Sequence, residues 1–153
     1  MKQLVGFEPP AVAGYDLDVV DRQIHKLLDD LRCAERPVIL VGGGVRLADA
    51  QDDVRELGRR LKIPCFPTWN ALDVITSDYE FYGGRIGTYG GAGRNFGIQN
   101  SDLLISIGSR ISGRITGGNV QSFARQARKY LVEIDPAMVQ PKFQQVPFDV
   151  NIL

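Results

Sequence analysis

The sequence predicts an α/β protein with a doubly wound, Rossmann-like parallel sheet of about six strands and helices on both faces. First, short apolar runs without polar alternation recur along the chain, as in strands that are buried on both faces of a parallel sheet. Second, these runs end in glycine or polar residues and alternate with helical patterns, as in successive βαβ units. With 153 residues, the chain is long enough for one core of ordinary size.

The N-terminal region divides into an irregular segment and a helix. We expect residues 1–15 to be an interdomain linker, because Phe7-Glu8-Pro9-Pro10 has no periodicity and its prolines cannot donate to a sheet. Residues 16–153 then form the domain. Asp16 or Asp18 can cap the following helix. The apolar stripe of this helix is predicted to face the core and comprises Val20, Ile24, Leu27, Leu28 and Leu31.

The first predicted strand is the apolar run at residues 38–41, which Gly42-Gly43-Gly44 follows. Glycines at a strand end allow a tight turn and the close approach of a ligand. In the helical pattern that comes next, one face is formed by Leu47, Val54, Leu57 and Leu61. A strand, a glycine turn and a helix can place a phosphate near the helix N-terminus. The third glycine of G-x-G-x-x-G is missing, so a turn without a ligand is an equal alternative.

Residues 62–68 are predicted to be a second strand, which Pro64 and Pro67 must shorten or restrict in its pairing. A Rossmann dehydrogenase carries Asp or Glu about 20 residues after the glycine turn, where it binds the adenine ribose. Residues 62–72 contain no acidic residue. The sequence therefore disfavours a free-standing NAD-dependent enzyme.

The middle of the chain is rich in glycine, with eleven of the seventeen glycines in residues 83–118. A third buried strand is predicted inside this segment at residues 101–108, after a short helix at residues 92–100. The remaining predictions are an irregular segment at residues 111–119, a short helix at residues 120–128 and a fourth strand at residues 129–136.

The ends of the predicted strands form a candidate ligand site, because ligands of open parallel sheets bind beyond the carboxyl ends of the strands. These ends supply backbone N–H groups, a hydroxyl, carboxylates that suit ribose hydroxyls, and the guanidinium groups of Arg110 and Arg114. Glycine together with arginine suits a diphosphate. The alternative is that the arginines are solvated and the glycines only mark turns.

Composition limits the other function classes. Eighteen basic and eighteen acidic residues cancel, and we expect neither nucleic-acid nor membrane binding. Cys33 and Cys65 are predicted to be reduced, buried side chains, which suits the cytoplasm, and His25 is predicted to be solvated or to cap a helix. We predict no metal site and no catalytic residue in this chain.

Five segments occur in the order and spacing of one known domain. From about residue 16 onwards, the chain resembles the central domain of thiamine-diphosphate enzymes of the acetolactate synthase group. The segments are Val41-Gly42-Gly43-Gly44, Pro67-Thr68-Trp69-Asn70-Ala71-Leu72, Arg85-Ile86-Gly87-Thr88-Tyr89-Gly90, residues 102–110 and Val132-Glu133-Ile134-Asp135-Pro136.

This resemblance implies a binding role here and catalysis elsewhere. Enzymes of the group are transferases that join 2-oxoacids in branched-chain amino acid biosynthesis. They are homo-oligomers whose two flanking domains bind thiamine diphosphate and magnesium. The chain lacks the glutamate-bearing and G-D-G motifs of those domains, and its ends look cut. We therefore expect residues 16–153 to be a central nucleotide-binding domain excised from a larger three-domain enzyme and not catalytic alone.

The resemblance also implies that the domain holds FAD, as in acetolactate synthases, where the flavin has no redox part, or ADP, as in oxalyl-CoA decarboxylases. The matching positions are Gly42, Gly43 and Gly44 at the glycine turn; Thr68, Trp69 and Asn70 at the flavin-side turn; Ile86, Gly87, Thr88 and Tyr89 along the ring system and ribityl chain; Gly108, Ser109, Arg110, Arg114 and Ile115 at the phosphates and ribose; and Glu133, Ile134 and Asp149 at the adenosine end.

Two departures from the group bear on the ligand. Where the group usually has Phe-Asp-Asp-Arg, the chain has Ile111-Ser112-Gly113-Arg114, and its Thr88-Tyr89 replaces the usual Met-His. An arginine is kept and an acidic contact is lost, so an ADP-containing ligand is better supported than FAD itself. A related carboligase or lyase with another acceptor is equally compatible. The alternative function is a structural spacer of a thiamine-diphosphate decarboxylase or lyase that binds no cofactor.

Overall fold

The computed structural model describes residues 14–153, so nearly all of the predicted linker at residues 1–15 lies outside the described residues. The α-helices are α1 (Leu17–Cys33), α2 (Gly44–Leu47), α3 (Gln51–Leu61), α4 (Ala92–Gln99) and α5 (Gly113–Thr116). The strands are β1 (Pro37–Val41), β2 (Cys65–Pro67), β3 (Leu103–Ile107), β4 (Arg128–Val132) and β5 (Val150–Ile152). Three short 3-10 turns cover Trp69–Ala71, Val120–Ser122 and Pro136–Val139.

The five strands form one parallel sheet in the order β2-β1-β3-β4-β5. The chain leaves β1 for β2 on one side and then crosses back to β3 on the other side of β1. The two connections therefore diverge at the β1/β3 boundary, which is the topological switch point of such a sheet. The prediction of a doubly wound parallel sheet is confirmed, and its five strands are close to the six expected.

Two apolar layers cover the sheet, because successive strand residues point to opposite faces. Ile39 and Val41 of β1 belong to one cluster with Val54 of α3, and α1 packs on this side. Val38 and Leu40 belong to the other cluster, together with Ile98 of α4 and residues that follow β3. Helices on both faces of the sheet explain why β1 and β3 are almost uninterrupted apolar runs.

Strand β2 is only three residues long, as its prolines predict. Both prolines lie at positions where the pairing with β1 needs no N–H donor. The Pro64 carbonyl accepts from the Ile39 N–H at 2.9 Å, and the Thr68 N–H, directly after Pro67, donates to the Val41 carbonyl at 2.8 Å. On its outer side, the Cys65 N–H donates to the Phe81 carbonyl at 2.8 Å. The following segment therefore covers this edge of the sheet.

The two predicted helix stripes are broader than the real ones. Asp16 caps α1 as predicted, since its side chain accepts from two backbone N–H groups, but Ile24 and Leu28 are each 40% exposed. The prediction for Leu47 was wrong, because it lies on the separate helix α2 and is 89% exposed. Asp49 has a φ of +54° and interrupts the helix before α3 begins, so Leu47 cannot share a face with α3.

Three local predictions also needed correction. The helix predicted at residues 120–128 is absent: only the 3-10 turn Val120–Ser122 forms, Ala124 has a φ of +41°, and Arg128 begins β4. Residues 111–119 contain the short helix α5 where an irregular segment was expected. Cys33 is exposed rather than buried, whereas Cys65 is buried as predicted.

His25 is exposed, and its Nδ1 lies 2.9 Å from the Asp21 carbonyl oxygen, in keeping with the predicted solvated position. Within residues 14–153, no helix combines the length and apolar character that crossing a bilayer requires. The same residues contain no group of three or more His, Cys, Asp or Glu side chains that could hold a metal ion.

Candidate functional site

A cleft of about 1080 Å³ lies beyond the carboxyl ends of the strands, at the β1/β3 switch point. Fifteen of the eighteen predicted site residues line it. They are Gly43, Gly44, Thr68, Trp69, Asn70, Ile86, Thr88, Tyr89, Gly108, Ser109, Arg110, Arg114, Ile115, Glu133 and Ile134. The three that do not line the cleft are Gly42, Gly87 and Asp149.

Gly42 joins the ends of β1 and β3 instead of facing the cleft. Its N–H donates to the Ile107 carbonyl at 2.8 Å, and the Gly44 N–H donates to the Gly108 carbonyl at 3.0 Å. A Cβ at Gly42 would lie 2.1 Å from the Gly108 oxygen. Only glycine allows this approach, and the approach brings the two strand ends together as one floor of the cleft.

Backbone donors are available on this floor. The N–H groups of Gly43, Ser109 and Arg110 have no hydrogen-bond partner among the described residues. All three belong to the turns that follow β1 and β3. Unpaired N–H groups that converge at a strand end form a concavity suited to an anion.

The turn after β3 is held in an unusual conformation that directs Arg110 outward. The Ser106 hydroxyl donates to the Ser109 carbonyl at 2.9 Å, and the Ile111 N–H donates to the Ser109 hydroxyl at 3.3 Å. Ile111 has a φ of +50° and is buried, whereas its neighbour Arg110 is exposed. The turn thus buries the apolar side chain and leaves the guanidinium at the cleft.

Two arginines of the cleft are not neutralised by acidic partners. Arg110 and Arg114 are exposed and form no salt bridge within residues 14–153, and the Nη1 of Arg110 lies 3.1 Å from the Sδ of Met138. Arg46, in contrast, pairs with Asp73 at 2.8 Å. These arginines line the same cleft as the residues with unpaired N–H groups, and this part of the cleft, the anion-binding end, favours negative charge.

A second part of the cleft lining, the aromatic end, is formed by Trp69 and Tyr89. The rings of Trp69 and Tyr89 pack edge to face with centroids 6.1 Å apart, although the residues are 72% and 82% exposed. Arg46 supports this end, because its Nη2 donates to the Asn70 carbonyl at 2.6 Å and so braces the turn that carries Trp69. Together with Ile86, the two rings offer a planar or apolar group a surface to pack on.

Of the three residues predicted at the adenosine end, Glu133 and Ile134 line the cleft and Asp149 does not. The Oε1 of Glu133 accepts from the N–H groups of Ile134 at 2.9 Å and Asp135 at 3.3 Å. Asp149 precedes β5 and accepts from the Lys129 N–H at 2.7 Å. Because the strands are parallel, the residue before β5 lies at the amino edge, away from the cleft. The geometry therefore removes Asp149 from the candidate site.

Residues outside the predicted set also line the cleft, among them Tyr15, Arg46 and Leu47. Tyr15, assigned to the linker, lines it and donates through its hydroxyl to the Ile134 carbonyl at 2.7 Å. Leu47, assigned to a helix stripe, and Arg46 also line it. The position of Arg46 and Leu47 directly after the glycine turn was an available signal, whereas nothing local indicates the position of Tyr15.

Comparison with known families identifies the domain. The family described as "Thiamine pyrophosphate enzyme, central domain" matches residues 24–151. The chain belongs to this family. Its match to the central domain includes all five strands except the last residue of β5, and the resemblance drawn from the sequence is confirmed.

Several acetolactate synthases are similar to this central domain. It is 36% identical over 137 residues to a probable acetolactate synthase large subunit of Methanococcus aeolicus, a match that covers 90% of this chain and 22% of the relative. It is 38% identical over 115 residues to the acetolactate synthase isozyme 2 large subunit of Escherichia coli K12, which covers 75% of this chain and 21% of the relative. The large subunit of Corynebacterium glutamicum is 38% identical over 125 residues, 82% of this chain and 20% of that protein. The chain thus spans about a fifth of the length of these relatives.

Proposed function

We propose that this central domain binds the ADP portion of a nucleotide, either ADP or FAD, within an acetolactate-synthase-like thiamine-diphosphate enzyme. The observation that carries the proposal is that one cleft at the switch point is lined by three residues with unpaired N–H groups and by Arg110 and Arg114, which form no salt bridge among the described residues. A diphosphate matches this set, because backbone N–H groups and guanidinium groups both donate to phosphate oxygens.

The adenosine would lie towards the end of β4. Glu133 already uses Oε1 to accept from two backbone N–H groups, which orients the carboxylate, and its Oε2 has no partner among the described residues. A ribose hydroxyl can donate to such a free carboxylate oxygen. Ile134 is exposed beside it and offers apolar surface to the base.

The aromatic end of the cleft favours FAD over ADP. ADP has one ring system, and with its adenosine beside Glu133 it would leave Trp69 and Tyr89 uncovered. FAD has a second ring system on the far side of the diphosphate, and stacking on aromatic rings stabilises such groups. The cleft volume of about 1080 Å³ also lies at the upper end of ordinary ligand pockets, as a dinucleotide requires.

The proposal extends to the whole protein through its relatives. Those relatives are acetolactate synthase large subunits, and we infer an enzyme that decarboxylates one 2-oxoacid and joins the remaining fragment to a second. Thiamine diphosphate supplies the carbanion chemistry of such reactions. We place it with magnesium in flanking domains of the same chain, in a cytoplasmic homo-oligomer. The residues of the central domain bind and orient the nucleotide, and the domain alone is not catalytic.

Trp69 provides the test, because it is the single tryptophan of the chain and lines the cleft. The 153-residue chain is titrated with FAD, ADP and FMN while tryptophan fluorescence and calorimetric heat are recorded. We expect FAD and ADP to bind and FMN, which lacks the adenosine and one phosphate, to bind more weakly than FAD. If neither FAD nor ADP binds, the structural spacer function replaces this proposal.

A further inference from the structure

A side chain outside the cleft holds one of the loops that form it. The Oδ1 of Asn95 on α4 accepts from the Gly87 N–H at 2.8 Å, and its Nδ2 donates to the Gly87 carbonyl at 3.0 Å. The Gly90 N–H donates to the same carbonyl at 2.9 Å. Both polar groups of the Gly87 residue are therefore satisfied, and the half-buried Asn95 does not line the cleft itself.

The loop at residues 84–90 follows a path that only its glycines permit. Gly84 and Gly87 have φ values of +98° and +96°. A Cβ at Gly87 would lie 2.6 Å from the Arg114 oxygen, and a Cβ at Gly84 would lie 2.3 Å from the Cδ of Arg94. Glycine has many other conformations available, so hydrogen bonds must hold this one, and the Asn95 carboxamide makes two of them.

The same loop is joined to the turn that carries Arg114. The backbone N–H and the hydroxyl of Thr88 both donate to the Arg114 carbonyl, at 2.9 Å and 3.1 Å. A continuous path of hydrogen bonds thus runs from Asn95 through the Gly87-Thr88 segment to Arg114. The 84–90 loop brings Ile86 and Tyr89 to the cleft beside Trp69, and Arg114 lines the same cleft as part of its anion-binding end.

We propose that Asn95 is a positioning residue that sets the separation between the aromatic end and the anion-binding end of the cleft. The cleft then selects a ligand that carries both a ring system and a diphosphate at that separation. This inference rests on the proposed function and specifies its ligand class. It also predicts different effects on two ligands. A nucleotide that uses only the anion-binding end depends less on the position of the 84–90 loop than a ligand that also packs on the aromatic end.

The test compares FAD with ADP on the 153-residue chain and its variants by calorimetry. Asn95→Ala is expected to weaken FAD binding about tenfold and ADP binding less than about twofold, since Asn95 bonds directly to the 84–90 loop and reaches Arg114 only through Thr88. Asn100→Ala is the matched control, because Asn100 is the C-cap of the same helix and its carboxamide donates only to the Phe96 carbonyl. This control should leave both affinities unchanged.

A second pair of variants tests the bridge without removing the Asn95 side chain. Thr88→Val deletes the hydroxyl bond to Arg114 and keeps the backbone bond, so FAD binding should weaken about threefold. Thr88→Ser restores the hydroxyl and should restore FAD binding. Hydrogen exchange supplies a readout without any ligand: the Gly87 amide should be protected in the wild type and exchange faster in Asn95→Ala.

The outcomes separate this inference from the proposed function. Suppose that the wild type binds FAD and ADP. If Asn95→Ala then weakens the binding of both by the same factor, or weakens the binding of neither, Asn95 has only a structural role and the inference is overturned. The same holds if Thr88→Val leaves the ratio of FAD to ADP affinity unchanged. If the wild type binds neither nucleotide, the proposed function fails and the inference fails with it.

Discussion

Gly42 and Gly108 lie in backbone contact at the point where β1 and β3 end, so closely that a Cβ on Gly42 would stand 2.1 Å from the Gly108 carbonyl oxygen. The contact joins the two strands on either side of the switch point. It also places the unpaired N–H groups of Gly43 and Ser109 on one floor. The fold and the candidate site therefore depend on the same pair of glycines.

Gly42→Ala should destabilise the domain, because the added methyl group overlaps a backbone atom that cannot rotate away. We expect the free energy of unfolding to fall by about 1–3 kcal/mol, measured by urea denaturation. Gly93→Ala is the matched control, since no atom lies within 4 Å of its Cβ position on α4. That change should be neutral or should stabilise by up to about 1 kcal/mol. Equal effects at the two positions would contradict the assigned contact.

Arg110→Ala should weaken nucleotide binding far more than it weakens folding. Arg110 is exposed at the anion-binding end of the cleft and has no acidic partner among the described residues. Loss of a charge-assisted hydrogen bond costs about 1.5–3 kcal/mol, which corresponds to about ten- to a hundredfold in Kd for FAD or ADP. The free energy of unfolding should change by less than about 0.5 kcal/mol.

Arg60→Ala is the control for this measurement, because Arg60 is exposed on α3, pairs with Glu56 at 2.9 Å and does not line the cleft. Its loss should leave the Kd for both nucleotides unchanged. Equal losses of affinity in the two variants would show that Arg110 is an ordinary solvated charge, and the spacer function would then be preferred.

The carboxylate of Asp102 should make stability depend on pH in the acidic range, and Asp102→Asn should remove that dependence. Burial raises the pKa of Asp102, but the N–H groups of Glu35 and Arg36, which donate to it at 2.8 Å and 2.9 Å, outweigh burial and hold the pKa below its ordinary value of 3.8. A group with a depressed pKa in the folded state stabilises the fold above its unfolded pKa, and that stabilisation is lost as the pH falls through the folded pKa.

The difference in the free energy of unfolding between wild type and Asp102→Asn should accordingly be largest at neutral pH and should shrink below about pH 4. Urea denaturation at a series of pH values measures it. Asp29→Asn, which removes an exposed carboxylate paired with Arg32, should change the free energy by less than about 0.5 kcal/mol at pH 7. A difference for Asp102→Asn that persists unchanged to pH 2 would disprove the role of its charge.

The two cysteines should react at very different rates with a thiol reagent. Burial raises the pKa of Cys65 to about 11, an effect that a hydrogen bond with Tyr79 only partly offsets. Since the thiolate is the nucleophile, Cys65 should be inert in the folded protein at pH 8, whereas the exposed Cys33 should react. We expect one thiol to be titrated in native protein and two in urea. Cys33→Ser should then show none until it unfolds; a rapidly titrated thiol in native Cys33→Ser would contradict the burial of Cys65.

The elements that could be predicted are those with a strong local signal. β1 and β3 are apolar runs that end in glycine, and α1 begins at a recognisable capping aspartate. Elements with a weak signal were not located. β5 is three residues long and is a strand because it pairs with β4. The predicted helix at residues 120–128 is replaced by a turn in which the Gln99 side chain accepts from the Ala124 N–H at 2.7 Å, a contact across the fold.

The sequence by itself determined the fold class, the family resemblance and the edge of the sheet at which a ligand would lie, because strand and turn preferences depend on neighbouring residues. The tertiary structure decided which residues meet at that edge. It brought Tyr15 to Ile134 and Thr88 to Arg114, and it placed Asp149 at the opposite edge from Glu133. These relationships depend on strand order and on loop paths that link residues far apart in the chain, and such pairings have no local signature in the sequence.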